Sequence, residues 1–180
     1  ILYGCTTQNG NSEINALQTQ VGDLTSTQQA LQNSVSANTV AAQEDAAAFI
    51  QELSQKVAEK GWKVSNVSEN SFGVTTDEGG IYLIQYNYYT PKVSKLAIYS
   101  IWTGVGKSNL EPEILAVVNR ANDEQNLAKV SVDENGDFWL ETVLPFGNQL
   151  DVNLFVDYVG WFELYESRLL MNYFQDYLQQ

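Results

Sequence analysis

The chain contains no histidine. That removes the commonest general base and the commonest transition-metal ligand. It has a single cysteine, so neither an internal disulfide nor a thiolate metal site can form within it. Together these absences exclude a Ser-His-Asp or Cys-His catalytic centre. Positive charge is also scarce: 9 Lys and Arg stand against 22 Asp and Glu, a formal net charge of -13. Such a surface repels phosphate backbones and anionic headgroups, which argues against a nucleic-acid partner and against membrane attachment by charge. No run of about 20 apolar residues occurs, so no segment reads as a membrane-spanning helix. What remains is 180 residues, 44% hydrophobic and 12% aromatic, enough for one domain with a core plus an extension.

The extension is residues 1–43, rich in Gln, Asn, Ser, Thr and Ala and free of Lys and Arg. Its apolar residues recur at Ile14, Leu17, Val21, Leu24, Leu31 and Val35, with Gln28 at the missing heptad position. This is an a/d seam with β-branched residues mostly at a and Leu at d, the pattern of a parallel coiled-coil dimer, with a trimer as the alternative. Asn11 or Ser12 is placed to cap the helix start. Beyond Val35 the apolar spacing passes through two consecutive fours (Asn38, Ala42, Ala46), which reads as a stutter where the stalk runs into the first helix of a domain. The predicted organisation is a tether over 1–11, a coiled-coil stalk over 12–42 and an α+β domain over 43–180.

Within the domain, Ala46, Phe49, Ile50, Leu53 and Val57 form one helical face that ends at Gly61. The period then changes to two in "WKVSNV", "FGVTT", "IYLIQYNYY" and "KLAIYSIW", separated by turn compositions: four antiparallel strands. A helix follows from Pro112, then a hairpin around Asn135-Gly136, then a long aromatic helix from Asp151. The acids Asp157, Glu163 and Glu166 argue against a membrane span for that last helix. The predicted order is α-ββββ-α-ββ-α, an antiparallel sheet backed by helices with a long C-terminal helix. Alternation on "IYLIQYNYY" sends Tyr82, Ile84, Tyr86 and Tyr88 to one face. The expectation is that the helices cover the other face. Tyr82, Tyr86 and Tyr88 are then either wetted surface residues or a candidate protein-binding face for an extended segment or a second copy.

Motifs that would signal a ligand fail on inspection. "TGVGKS" at 103–108 lacks the first glycine of a phosphate loop, since position 101 is Ile, and no helix follows directly. "SVDENGDFWLET" has Thr142 where a calcium loop needs a bidentate Glu, and reads as a hairpin turn. No cofactor, nucleotide or metal site is expected. Carboxylates are plentiful, but nothing in the spacing pairs two of them as an acid hydrolase requires.

The residues "GWKV", "AIYSIW", "VVNRAND" and "KVSVDENGDFWLETVLPFG", with the long terminal helix, make residues 45–180 resemble the YbjN family. Asn119 and Asn122 match that family's pair of asparagines in the middle helix. The resemblance implies a type III secretion chaperone-like fold without catalytic residues, one that binds protein segments or self-associates. The first residues are similar to a bacterial lipoprotein signal, with Leu2 at -3, Gly4 at -1 and Cys5 as the acceptor, although Tyr3 at -2 is unusual. Processing would make Cys5 the first residue, whereas Ile1–Gly4 precede it here. That resemblance implies lipid on Cys5 and attachment to a membrane of the bacterial cell envelope, on the periplasmic side of the outer membrane or at the cell surface. The reading that joins these observations is a non-catalytic envelope lipoprotein that self-associates through its stalk and presents a chaperone-like binding domain. The alternatives are a self-assembling structural subunit and, less favoured, an acidic hydrolase.

Overall fold

The computed structural model describes residues 8–103 and 112–178, and the side chains of residues 16–103 and 112–177. The chain divides after Asn38 into two compact units.

The first unit is one helix, α1 (Gln8–Ala37), of 30 residues. It starts ahead of Asn11 and Ser12, which therefore lie inside it rather than at its cap. The helix carries few charges, and its hydroxyls turn inward. Thr25, Ser26 and Thr27 donate to the carbonyls of Val21, Gly22 and Asp23 at 2.8, 2.6 and 2.8 Å. The side-chain amide of Asn38 donates to the Ser34 carbonyl at 3.1 Å and closes the C-terminus.

The stutter expected beyond Val35 is a true break. The helix stops at Ala37, and Thr39–Ala41 form a strand, β1. β1 pairs antiparallel with β8 (Gln149–Asp151), Val40 opposite Leu150, and both of these side chains are buried. The domain thus begins at Thr39 rather than at residue 43. A new helix, α2 (Ala46–Glu59), starts at Asp45, whose carboxylate accepts from the Ala48 N–H at 3.1 Å. Phe49, Ile50, Leu53 and Val57 are its buried face, and Gly61, with φ of 102°, ends it.

The remaining elements are β2 (Lys63–Ser65), β3 (Ser71–Thr75), β4 (Ile81–Thr90), β5 (Val93–Trp102), α3 (Pro112–Glu124), β6 (Lys129–Val132), β7 (Phe138–Phe146) and α4 (Val152–Leu169). A π-helical turn, Leu170–Phe174, leads from α4 into α5 (Gln175–Leu178). The order α-ββββ-α-ββ-α is therefore present, with β1 and β8 added as a small second sheet. The main sheet is antiparallel throughout, in the order β2-β3-β4-β5-β7-β6. Inward residues from every long strand meet α2, α3 and α4 in one core, which includes Phe72, Ile84, Leu96, Ile98, Phe138 and Leu140. The π turn admits one extra residue, so that Leu169, Leu170 and Phe174 all stay buried, Phe174 lying 4.7 Å from the Phe138 ring.

Two hairpins share one turn. In the first, Gly79 N–H donates to Thr76 O and Thr76 N–H to Gly80 O. In the second, Gly136 N–H donates to Asp133 O and Asp133 N–H to Asp137 O. Gly79 and Gly136 take φ of 94° and 81°. Asn135 is not among the positive-φ residues, so the second turn is a three-residue loop with a left-handed glycine rather than the two-residue form that Asn-Gly suggests.

Candidate interaction surfaces and a buried carboxylate

The tyrosine row of β4 faces inward. Tyr82 and Tyr86 are buried, and Tyr88 packs half-buried against the core. The expectation that this row lies opposite the helices is therefore reversed, and it offers no docking face. Both faces of β4 are apolar, so alternation alone does not say which one the helices take. The helices decide it: Phe49 of α2 stacks on Tyr86 at 3.8 Å between ring centroids, and Phe162 of α4 lies 5.6 Å from Tyr82. The two hydroxyls are used differently. Tyr86 Oη donates to the Gln43 carbonyl at 2.9 Å and accepts from the Gln43 N–H at 3.2 Å, pinning the β1–α2 connection. Tyr82 Oη donates to Glu166 at 2.8 Å.

Glu166 is a carboxylate in a core position. The buried stripe of α4 is Phe155, Val159, Phe162, Glu166 and Leu169, spaced as a helix face. Besides Tyr82, the carboxylate accepts from Trp102 Nε1 at 2.7 Å and from the Ser100 hydroxyl. One turn earlier, Glu163 accepts from the Gly80 N–H at 2.9 Å and from Thr76 Oγ1 at 3.0 Å. In the second hairpin the amide matching Gly80, that of Asp137, is taken at 3.0 Å by Asp133 of the turn itself, which also accepts from the Asn135 N–H at 2.8 Å. The Asp137 N–H bond, with the Asn135 contacts and Trp139 adding to it, holds Asp133 below the usual carboxylate range. Helix α4 thus supplies to the first hairpin the acid that the second hairpin carries locally.

Burial first, and then the charge of Glu166, raise the Tyr82 phenol well above the ordinary tyrosine value. Its proton is held fast. A cavity of about 280 Å³ beside Glu166, bounded by Ile81, Ile101 and Trp102, is small and partly apolar. The chemistry of the cluster is that of a tether: donors from the β3–β4 turn, β4 and β5 converge on two acids of α4 and fix the helix to the sheet. Sequence reasoning passed over this cluster. The signal was an acid occupying an apolar helical position, at Glu166.

The opposite face of the sheet is the exposed one. Register places Leu83 beside Tyr99 and Glu141, Ala97 beside Val143, and Ile101 beside Trp139. Tyr99 and Trp139 meet edge-to-face at 6.0 Å. Ile81 and Ile101 are exposed, and Leu83, Tyr99, Trp139 and Val143 are half-buried. Lys63, Lys95 and Lys129 share this face, three of the nine basic residues of a chain with net charge -13. Burial, with the nearby Glu141 charge adding to it, pushes the Tyr99 phenol up. Aromatic and aliphatic groups side by side are the composition of protein-binding patches, and the lysines give this one a charge opposite to the molecule's net charge.

The other expected residues fall as follows. Leu17, Val21, Leu24, Leu31 and Val35 of the seam are all on α1 and are 52–70% exposed. Cys5, the side chain of Ile14 and the 104–108 part of the "TGVGKS" loop lie outside the described residues. Asn119 is exposed on α3. Asn122 reaches the outer edge of β6, where its side-chain amide donates to Val130 O at 2.8 Å and its carbonyl accepts from Val130 N–H at 2.7 Å. Among the described residues no group of three or more His, Cys, Asp and Glu could hold a metal ion, and no helix is long and apolar enough to cross a membrane.

No protein-family model matches the chain, and no curated protein matches it.

Proposed function

We propose that the chain is a self-associating, membrane-tethered binding module of the bacterial envelope, acylated at Cys5, with no catalytic role. In this reading α1 is a coiled-coil stalk, and residues 39–180 are a YbjN-like, chaperone-type domain whose open sheet face takes an extended protein segment.

The observation that carries it is α1. A helix of 30 residues built largely from Gln, Ser, Thr and Asn has little intrinsic stability in water, and it has no ion-pair network to add to it. Its apolar residues nonetheless keep one heptad seam, and every described one is more than half exposed. Covering that seam with copies of itself supplies the missing packing energy. The open sheet face supports the second half of the reading, since Tyr99, Trp139 and the three lysines form a cationic-aromatic area on a strongly acidic molecule.

Sedimentation of a Cys5→Ser chain tests the stalk. An oligomer at tens of micromolar is expected, and Leu24→Asp should lower its mass while leaving the melting of residues 39–180 unchanged. A parent chain that sediments as a monomer would falsify the stalk. Mass spectrometry of the native N-terminus tests the anchor: diacylglycerol on Cys5 is expected, and an unmodified Cys5 still joined to Ile1–Gly4 removes that part of the reading.

A further inference from the structure

The outer face of α4 carries an apolar stripe. Leu154, Trp161, Leu164 and Met171 are 54–69% exposed, although each is a residue type that burial favours. Their spacing is 7, 3 and 7, a heptad seam along about 25 Å of helix. The two positions left in that seam are Asp157 and Arg168, both exposed. Among the described residues neither makes an ion pair within the chain.

The order of these six residues is self-complementary. Laid antiparallel on its own copy about a two-fold axis between Phe162 and Glu163, the helix sets Leu154 against Met171, Asp157 against Arg168 and Trp161 against Leu164. Each match occurs twice, as a two-fold interface requires. Apolar groups meet apolar groups in four of the six layers, and the other two pair opposite charges. The register is also the one in which a positions of one helix face d positions of the other. Gly160 borders the stripe, and a Cβ there would have nothing within 4 Å. Inside a helix, glycine costs about 0.5–1 kcal/mol relative to alanine, and nothing within this domain requires it here. A second helix packed close against the stripe would.

We infer that α4 is the face through which two copies of this domain associate, antiparallel and symmetric, with Asp157 of each copy paired to Arg168 of the other. This contact is separate from the α1 seam, and it orders domains rather than stalks.

The test uses the full chain with Leu24→Asp, so that α1 contributes no association, and sedimentation equilibrium at tens of micromolar. The Leu24→Asp chain should be a dimer. Adding Asp157→Arg places Arg opposite Arg in two symmetric positions and should weaken the dimer about tenfold or more. Adding Arg168→Asp to that variant restores both pairs with their signs exchanged and should restore the dimer. Asp157 and Arg168 are both exposed, so the circular dichroism of their variants should match that of the Leu24→Asp chain. A monomeric Leu24→Asp chain overturns the inference, and so does a dimer indifferent to Asp157→Arg or a charge exchange that fails to rescue. If Leu24→Asp leaves both the mass and the helicity of the parent unchanged, the stalk reading falls, while the Asp157 and Arg168 variants still decide the α4 interface.

Discussion

Replacing Glu166 with leucine is the change that most directly tests the tether between α4 and the sheet. Leucine suits the apolar stripe around position 166 and is close in size to glutamate, so cavity formation is a minor part of the effect. What is lost is an acceptor for three donors: Tyr82 Oη at 2.8 Å, Trp102 Nε1 at 2.7 Å and the Ser100 hydroxyl. Trp102 is 37% exposed and can turn to water. Tyr82 and Ser100, at 1% and 4% exposed, cannot. Each stranded buried hydroxyl costs about 1–3 kcal/mol, and part of that is offset because the carboxylate no longer has to be desolvated. A net loss of about 2–4 kcal/mol follows. Glu166→Gln keeps the shape and one carbonyl acceptor, and hydroxyls can accept from its amide, so it should cost only about 1 kcal/mol. The assay is urea unfolding at one fixed protein concentration, read by tryptophan fluorescence with the slope held constant. Glu166→Leu within about 0.5 kcal/mol of the parent, or Glu166→Gln as costly as Glu166→Leu, refutes the reasoning.

Three further outcomes follow from the same region and its surroundings. Gly80→Ala would put a Cβ against Glu163 Oε1 and within 2.6–2.7 Å of the Tyr82 ring and hydroxyl, so it should cost about 2–4 kcal/mol in the same unfolding assay, whereas Gly22→Ala on α1 meets open space and should raise helicity by circular dichroism. The phenols of Tyr82, Tyr99 and Tyr165 are all raised, burial being the first cause of each. Stability is therefore fully present below the unfolded tyrosine value near 10 and is lost as pH climbs above it, and Tyr82→Phe should make that loss shallower when urea midpoints are compared at about pH 8 and about pH 11. Asn122→Leu leaves both Val130 backbone groups unpaired at the edge of β6, so a loss of about 2–3 kcal/mol and faster aggregation on heating, followed by light scattering, are expected.

Much of the fold was legible because its elements are long and strongly periodic. The faces of α2 and α4, the β4–β5 pair and the hairpin at Asn135-Gly136 all follow from spacing and turn residues. Strand β1 was not legible. Three residues, Thr39–Ala41, are too few to show a period of two, and Asn38, Ala42 and Ala46 around them continue a helical spacing by coincidence. What makes β1 a strand is its distant partner Leu150, which no local pattern names. The inward face of β4 was not legible either, since Ile81 and Leu83 are as apolar as Tyr82 and Ile84, and only packing against Phe49 and Phe162 separates them. Glu166 was one acid among 22, and its meaning lay in its phase within the α4 stripe. Asn122 stands in the sequence as one of two asparagines three apart in α3, and its work, bracing Val130, depends on a sheet edge whose position only the full topology gives.

The junction at the start of the domain has a mechanical consequence. Any tension reaching residues 39–180 from the N-terminal side enters through Thr39–Gln43, because the backbone has no other route. There it meets the β1–β8 ladder, the buried Val40 side chain and the two-way bond between Gln43 and the Tyr86 hydroxyl. Tyr86 lies at the middle of the sheet and is stacked on Phe49, so a pull on the leash is passed to the interior instead of peeling α2 from the surface. The phenolic oxygen acts as a strain relief. Tyr86→Phe should leave the resting domain nearly as stable and yet make it yield at lower force, a difference that unfolding under load reports through the rate of opening rather than the equilibrium.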